Sequence, residues 1–198
     1  MLIFEGEATV KYCEPSPQIF NIFSNVFYII ASMDIYRLGY KVHDISRVIK
    51  LVGFGSFCLH YYENLIGQFL DEIWMIVLLN TMIKKCNSNR FLNDYYTEIN
   101  YILFTVYFSH GVYELFLIIF SLQCTVLTFL LMQISIKYPY TKGVFNKAIL
   151  SIVIGSAAWI IEQKYCEYND YIYLLHTLWH FMSALSVLYV SKMITLIP

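Results

Sequence analysis

Runs of about 20 mostly apolar residues, separated by short polar segments, recur along almost the whole chain and leave it few ways to fold. They fall at roughly 18–36, 48–64, 66–83, 112–136, 145–163 and 171–193, and a shorter run at about 98–110 makes seven. Each long run matches the ~30 Å hydrocarbon core of a bilayer, where a helix satisfies every backbone N–H and C=O internally. The segments between them, among them LGYKVHDIS, KKCNSNRFLND, KYPYTKG and QKYCEYND, carry turn chemistry. The pattern predicts an all-α, multi-pass membrane protein, with residues 1–198 forming a single seven-helix transmembrane domain and no internal repeat. Composition agrees, since 59% of residues are hydrophobic and 14% charged, against about 25% charged in an average soluble domain.

Charge sets the orientation. Arg37, Lys41, Arg47, Lys50, Lys84, Lys85, Arg90, Lys137, Lys142, Lys147 and Lys192 flank the odd-numbered loops or the C-terminus, so 11 of the 13 basic residues fall on one face. Only Lys11 and Lys164 fall on the other. The positive-inside rule then puts the N-terminus outside and the C-terminus in the cytoplasm, which requires the short run at about 98–110 to be a span. A net charge of −1 with scattered basic residues offers no basic face for a nucleic acid. The opening MLIFEGEATV lacks the basic and long apolar parts of a cleavable signal, so the first span is expected to direct insertion.

Ionisable residues inside such runs are expensive and mark function by default. His60 and Asp71 lie in GSFCLHYYENLIGQFLDEIWM, and His176 and His180 in LLHTLWHFMSALSVLYV. The topology brings all four to the outer half of the bundle. His176 and His180 are four apart and share a helix face, which suits two ligands of one ion but equally suits bonding to a neighbouring helix. His60 adds a third imidazole, with Ser56 one turn before it. Three neutral imidazoles leave a fourth tetrahedral position for water, the plan of a catalytic zinc site. A nearby carboxylate takes the water's proton and a hydroxyl donates to the oxyanion, jobs that fit Asp71 and Ser56. Inside a bilayer, that set points to hydrolysis of a lipid acyl bond, amide or ester.

These residues also carry a family resemblance. GSFCLH, LDEIWM and HTLWH, together with the N-terminal CE and QIFNIFSN and with AWIIEQKYC, resemble ordered motifs of the alkaline ceramidase family, part of a wider group of seven-span hydrolases. The resemblance covers about residues 12–190. It implies that His60, His176 and His180 hold zinc, that Asp71 activates water and Ser56 donates to the oxyanion, and that the substrate is a ceramide-like lipid cleaved to a sphingoid base and a fatty acid. It also implies a disulfide between Cys13 and Cys166, which the predicted topology places on the same outer face.

The chain departs from the family in places. Trp74 stands where a proline is frequent. Family members carry an acidic N-terminal calcium site, and here Lys11 replaces an Asp and Gln18 a Glu, leaving Glu14, Gln18 and Asn21 as a degenerate set; calcium regulation is therefore not expected. A lipid esterase or phospholipase of the same group, or a seven-helix receptor whose zinc is structural, would keep the same motifs. No obligate protein partner is expected. Asp34 and Glu72 are read as snorkelling or helix-bonding groups, His43 as a solvated loop residue and His110 as interfacial. Cys58, Cys86 and Cys124 are expected as reduced or buried thiols.

Overall fold

Glu14 starts the first helix by giving both carboxylate oxygens to orphan backbone donors: Phe20 N–H donates to Oε1 at 2.6 Å and Asn21 N–H to Oε2 at 2.8 Å. The computed structural model describes residues 6–87, 90–110, 113–166 and 171–198, without the side chains of 90–93, 108 and 110. Arg90's charge, the Asn-rich patch beyond Asn87 and the His110 side chain thus lie outside the described residues.

Among the described residues eight α-helices follow one another: α1 (Ile19–Ser24), α2 (Val26–Arg37), α3 (His43–Tyr62), α4 (Leu65–Cys86), α5 (Arg90–His110), α6 (Tyr113–Lys137), α7 (Lys142–Tyr165) and α8 (Leu174–Leu196). Helices α1 and α2 form one rod interrupted at Asn25, whose Nδ2 donates to the carbonyls of Asn21 and Ile22 and so competes with the helical ladder. Among the described residues five stretches are long and apolar enough to cross a membrane: Ile19–Arg37, Leu65–Cys86, Tyr113–Lys137, Pro139–Tyr165 and Leu174–Leu196. Helix α3, diluted by Arg47, Lys50, Ser56 and His60, and α5, diluted by Asp94, Glu98 and Asn100, are long enough but too polar to join them.

Two glycines bring α3 and α4 together backbone to backbone. A Cβ on Gly55 would stand 2.5 Å from the Leu70 carbonyl oxygen, and one on Gly67 would stand 2.7 Å from the Leu59 Cα. Small residues allow this approach between apolar helices, and here it sets Ser56 and His60 beside the start of α4. Glu63, in the left-handed region at φ 50°, ends α3, and Asn64 caps α4 by accepting from Gly67 N–H at 2.9 Å.

The two ends of the bundle are tied differently. At one end Lys85 pairs with Asp44 at 3.0 Å, Lys41 Nζ donates to the Ile197 carbonyl at 2.6 Å, and the Tyr140 hydroxyl donates to the Leu196 carbonyl. Asp34 pairs with Arg37 at 3.0 Å on the exposed surface there. At the other end the N-terminal segment crosses the α3–α4 turn. Glu7 bridges Asn64, Ala8 N–H donates to the Glu63 carbonyl, and Leu65 N–H donates to the Gly6 carbonyl. A disulfide then joins Cys13 to Cys166 at the end of α7, with Cα atoms 5.1 Å apart.

Candidate metal centre

Helix α3 supplies His60 and α8 supplies His176 and His180, and all three imidazoles are buried with one ligand atom each within 4.8 Å of the others. Two of their outer nitrogens are hydrogen-bonded, and the third, on His176, faces a carboxylate without bonding to it. His60 Nδ1 lies 2.7 Å from Gln18 Oε1, an acceptor, so Nδ1 carries the proton. Ser24 donates its own hydroxyl hydrogen to the Asn21 carbonyl, so at 2.6 Å it accepts from His180 Nδ1–H. His176 Nδ1 stands 3.5 Å from the Glu162 carboxylate.

His60 and His180 are therefore held as the tautomer with the proton on Nδ1 and the lone pair on Nε2, turned toward the other two rings. His60 Nε2 is buried without any hydrogen-bond partner, a costly orphan in a protein interior. Metal-ligating histidines are oriented in this way, donating their second ring nitrogen to a carbonyl or carboxylate. The donor set fits a divalent ion that takes neutral imidazoles.

Ser56 and Asp71 come to the same place. Ser56 Oγ lies 3.4 Å from His180 Nε2, and Ser56, Asp71, His176 and His180 line one small cavity with Tyr12, Tyr28, Glu72 and Tyr113. Tyr12 packs edge-on against His60 and His176, with ring centroids 4.7 and 4.5 Å away. Burial pushes its phenol well above the ordinary value, with Tyr113, Asp71, Glu72 and Glu162 acting in the same direction, so it stays a neutral hydroxyl.

Two larger spaces adjoin this cavity. Tyr28, Met75, Phe120 and Trp179 also line a narrow apolar chamber of about 90 Å³ that runs between α4, α6, α7 and α8. Tyr12 also lines a polar cleft on the side of the N-terminal segment, with Glu7, Lys11, Glu14, Gln18 and Glu63. The histidine cluster sits between an apolar space and a polar one.

The remaining sequence candidates have other surroundings. Glu14, Gln18 and Asn21 are close together, but their oxygens cap α1 and orient His60, and only Asn21 Oδ1 is without a partner. Glu72 Oε1 accepts from Gln68 Nε2 at 2.9 Å. His43 stacks on Tyr36 at a centroid distance of 4.2 Å, half-buried at the start of α3. Cys58, Cys86 and Cys124 are free thiols.

Sequence reasoning passed over Tyr12, Ser24 and Glu162 as parts of the site. Glu162, an acid within an apolar helix and 0% exposed, carried the signal by which His60 and Asp71 were found. Tyr12 and Ser24 carried none, because aromatic and small hydroxyl residues are ordinary in such segments.

No model of a known protein family matches the chain. The chain is similar to alkaline ceramidase 1 of Mus musculus, with 23% identity over 212 residues that cover 92% of this chain and 75% of that protein. Weak as it is, this homology extends over nearly the whole sequence and supports kinship with a ceramidase-like family.

Proposed function

We propose that the protein is an intramembrane, zinc-dependent amide hydrolase with seven spans, its N-terminus outside and C-terminus cytoplasmic, that cleaves ceramide or a related N-acyl sphingolipid to a sphingoid base and a fatty acid. The observation that carries the reading is the cluster of three buried imidazoles with ligand atoms within 4.8 Å of one another, their outer nitrogens engaged or faced by an acceptor, beside a carboxylate and a hydroxyl. The likeness to a ceramidase supports the substrate class.

His60, His176 and His180 would hold the ion. Zinc supplies an acidified water and a Lewis acid for the scissile carbonyl. Asp71 takes the proton from the attacking water and returns it to the departing amine as the C–N bond breaks. The Ser56 hydroxyl donates to the oxygen that gains charge when water adds to the carbonyl carbon. Tyr12, neutral and packed against two of the ligands, closes the outer side of the cavity.

An amphipathic substrate suits the two adjoining spaces. The narrow apolar chamber suits an acyl chain, and the polar cleft suits the hydroxylated end of the lipid. The scissile bond then lies at the histidines between them.

The test uses the purified full chain in detergent with an N-acyl sphingosine and, separately, an ester phospholipid. Release of fatty acid and sphingoid base, lost on zinc chelation and restored by added zinc, is the expected result. Release from the ester alone moves the protein to the lipid esterases. Stoichiometric zinc without release from either lipid makes the site structural and the protein a receptor or sensor.

A further inference from the structure

Glu162 is held in a position that neither the hydrolytic roles nor the three ligands require. It lies on α7, 0% exposed, and its two carboxylate oxygens face different parts of the molecule. The Cys13 backbone N–H donates to Oε1 at 2.9 Å, while Oε2 stands 3.5 Å from His176 Nδ1 and accepts from Gln163 Nε2 at 3.1 Å. The Cys13 sulfur is in a disulfide with Cys166, one helical turn after Glu162, and also lies 3.2 Å from the Glu162 carbonyl oxygen.

We propose that Glu162 is the positioning residue that couples the disulfide-anchored N-terminal segment to the metal centre, setting metal affinity through His176. The inference rests on the reading of the three histidines as metal ligands. A buried carboxylate is costly unless charge nearby compensates it. Among the described residues its side-chain oxygens face the Cys13 N–H, the Gln163 amide and the His176 ring, and an ion held by the three histidines would lie on the far side of that ring. A carboxylate facing Nδ1 favours the proton there and raises the basicity of Nε2 toward an ion.

The N-terminal strap then has a defined job. Cys13 N–H holds one oxygen, and the Cys13–Cys166 bridge holds Cys13. Freeing the strap lets the carboxylate turn away from His176 without changing any ligand. The bridge is thus a metal-affinity device as well as a fastening.

Glu162→Gln keeps the size of the side chain and one carbonyl oxygen but removes the charge. Zinc affinity, measured on the purified full chain by competition with a fluorescent chelator, should weaken about 10- to 100-fold, the usual effect of losing an outer partner of a ligand. The thermal midpoint of the metal-free protein should shift little, whereas a merely structural role would lower that midpoint and leave zinc affinity intact. A Cys13→Ser, Cys166→Ser variant should weaken zinc by up to about tenfold, and adding it to Glu162→Gln should weaken zinc no further, because both changes act on one contact.

Wild-type protein that binds no zinc would end the metal reading itself. Zinc bound normally by the wild type, with equal affinity in Glu162→Gln, overturns the positioning role while leaving that reading intact. Fully additive losses in the combined variant overturn the coupling through the strap. Should Glu162→Gln not fold, the cysteine variant decides by itself, since unchanged zinc affinity there also removes the coupling.

Discussion

The first two turns of α8 carry His176 and His180 against Ser24, Ser56, Tyr12 and Glu162, whereas its later turns carry Val187, Val190, Met193 and Ile194 against Ile35, Ile45, Ile49 and Met82. The same helix therefore passes from a region specified by a few directional bonds to one specified by volume. In the first region one atom decides whether a ring nitrogen is donor or acceptor. In the second any side chain of the right size and shape serves, and the serines found there return their hydroxyls to nearby carbonyls, as Ser191 does to Val187 and Ser46 to Ser32. Function and stability are thus separable along one axis of the molecule, and substitutions at the two ends should fail in different assays.

The largest effect tests the polar end. His180→Ala removes a ligand and should abolish both hydrolysis and bound zinc, which metal analysis of the purified protein reads directly. Stoichiometric zinc retained in a His60→Ala, His180→Ala double variant would place the ion elsewhere. Ser56→Ala and Asp71→Asn sharpen the contrast within that end, because neither is asked to hold the ion. Both should keep most of the zinc, and Ser56→Ala should lose about 100-fold in turnover, the scale of a lost oxyanion donor. Zinc lost in parallel with turnover in Asp71→Asn would turn Asp71 into a ligand or an orienting partner.

At the apolar end the expected failure is reversed. Ile49 is 0% exposed in the middle of the core that joins α2, α3, α4 and α8. Ile49→Ala should cost about 2–5 kcal/mol of stability through lost contacts and a residual cavity, read by denaturant titration in mixed micelles. Zinc content and turnover per folded molecule should stay near wild type. A large loss of zinc in this variant would mean that the two ends are not separable, and that core packing sets the spacing of the histidines.

The same contrast explains what the sequence made legible. His60, Asp71, His176 and His180 stood out because charge and imidazole are conspicuous in apolar runs, and the four-residue spacings put the right pairs on shared faces. The partners that orient the rings did not stand out. Ser24 and His180 are separated by 156 positions and Gln18 and His60 by 42, and no local period reports such contacts. Gln18, read only as a relic of a calcium site, turns out to bond His60. Helix limits were hidden for a related reason. Helix α3 begins at His43 and α5 at Arg90, ahead of the apolar runs at about 48 and 98. Their first turns are polar, and hydropathy follows the depth of the bilayer rather than the length of the helix. The break at Asn25 was equally silent, because it comes from one side chain bonding to two carbonyls inside an otherwise apolar run.

The smallest expected effect concerns calcium, and it tests whether the N-terminal oxygens belong to the polar site or to a separate one. Calcium takes six to eight oxygen ligands, carboxylates preferred. Glu14 already accepts from the Phe20 and Asn21 N–H groups in the first turn of α1, and Gln18 Oε1 is shared between His60 Nδ1 and Asn21 Nδ2. An ion gathering these groups would uncap α1 and release the bond that orients His60, while Lys11, lining the same cleft, adds a positive charge. Turnover should therefore change by less than about twofold between calcium-free and millimolar calcium conditions, with free zinc held constant by a buffer so that the chelator does not strip the histidines. A several-fold stimulation that disappears in Glu14→Ala would show that the helix cap opens to bind the ion. The same result would give Gln18 a second state in which His60 is no longer held.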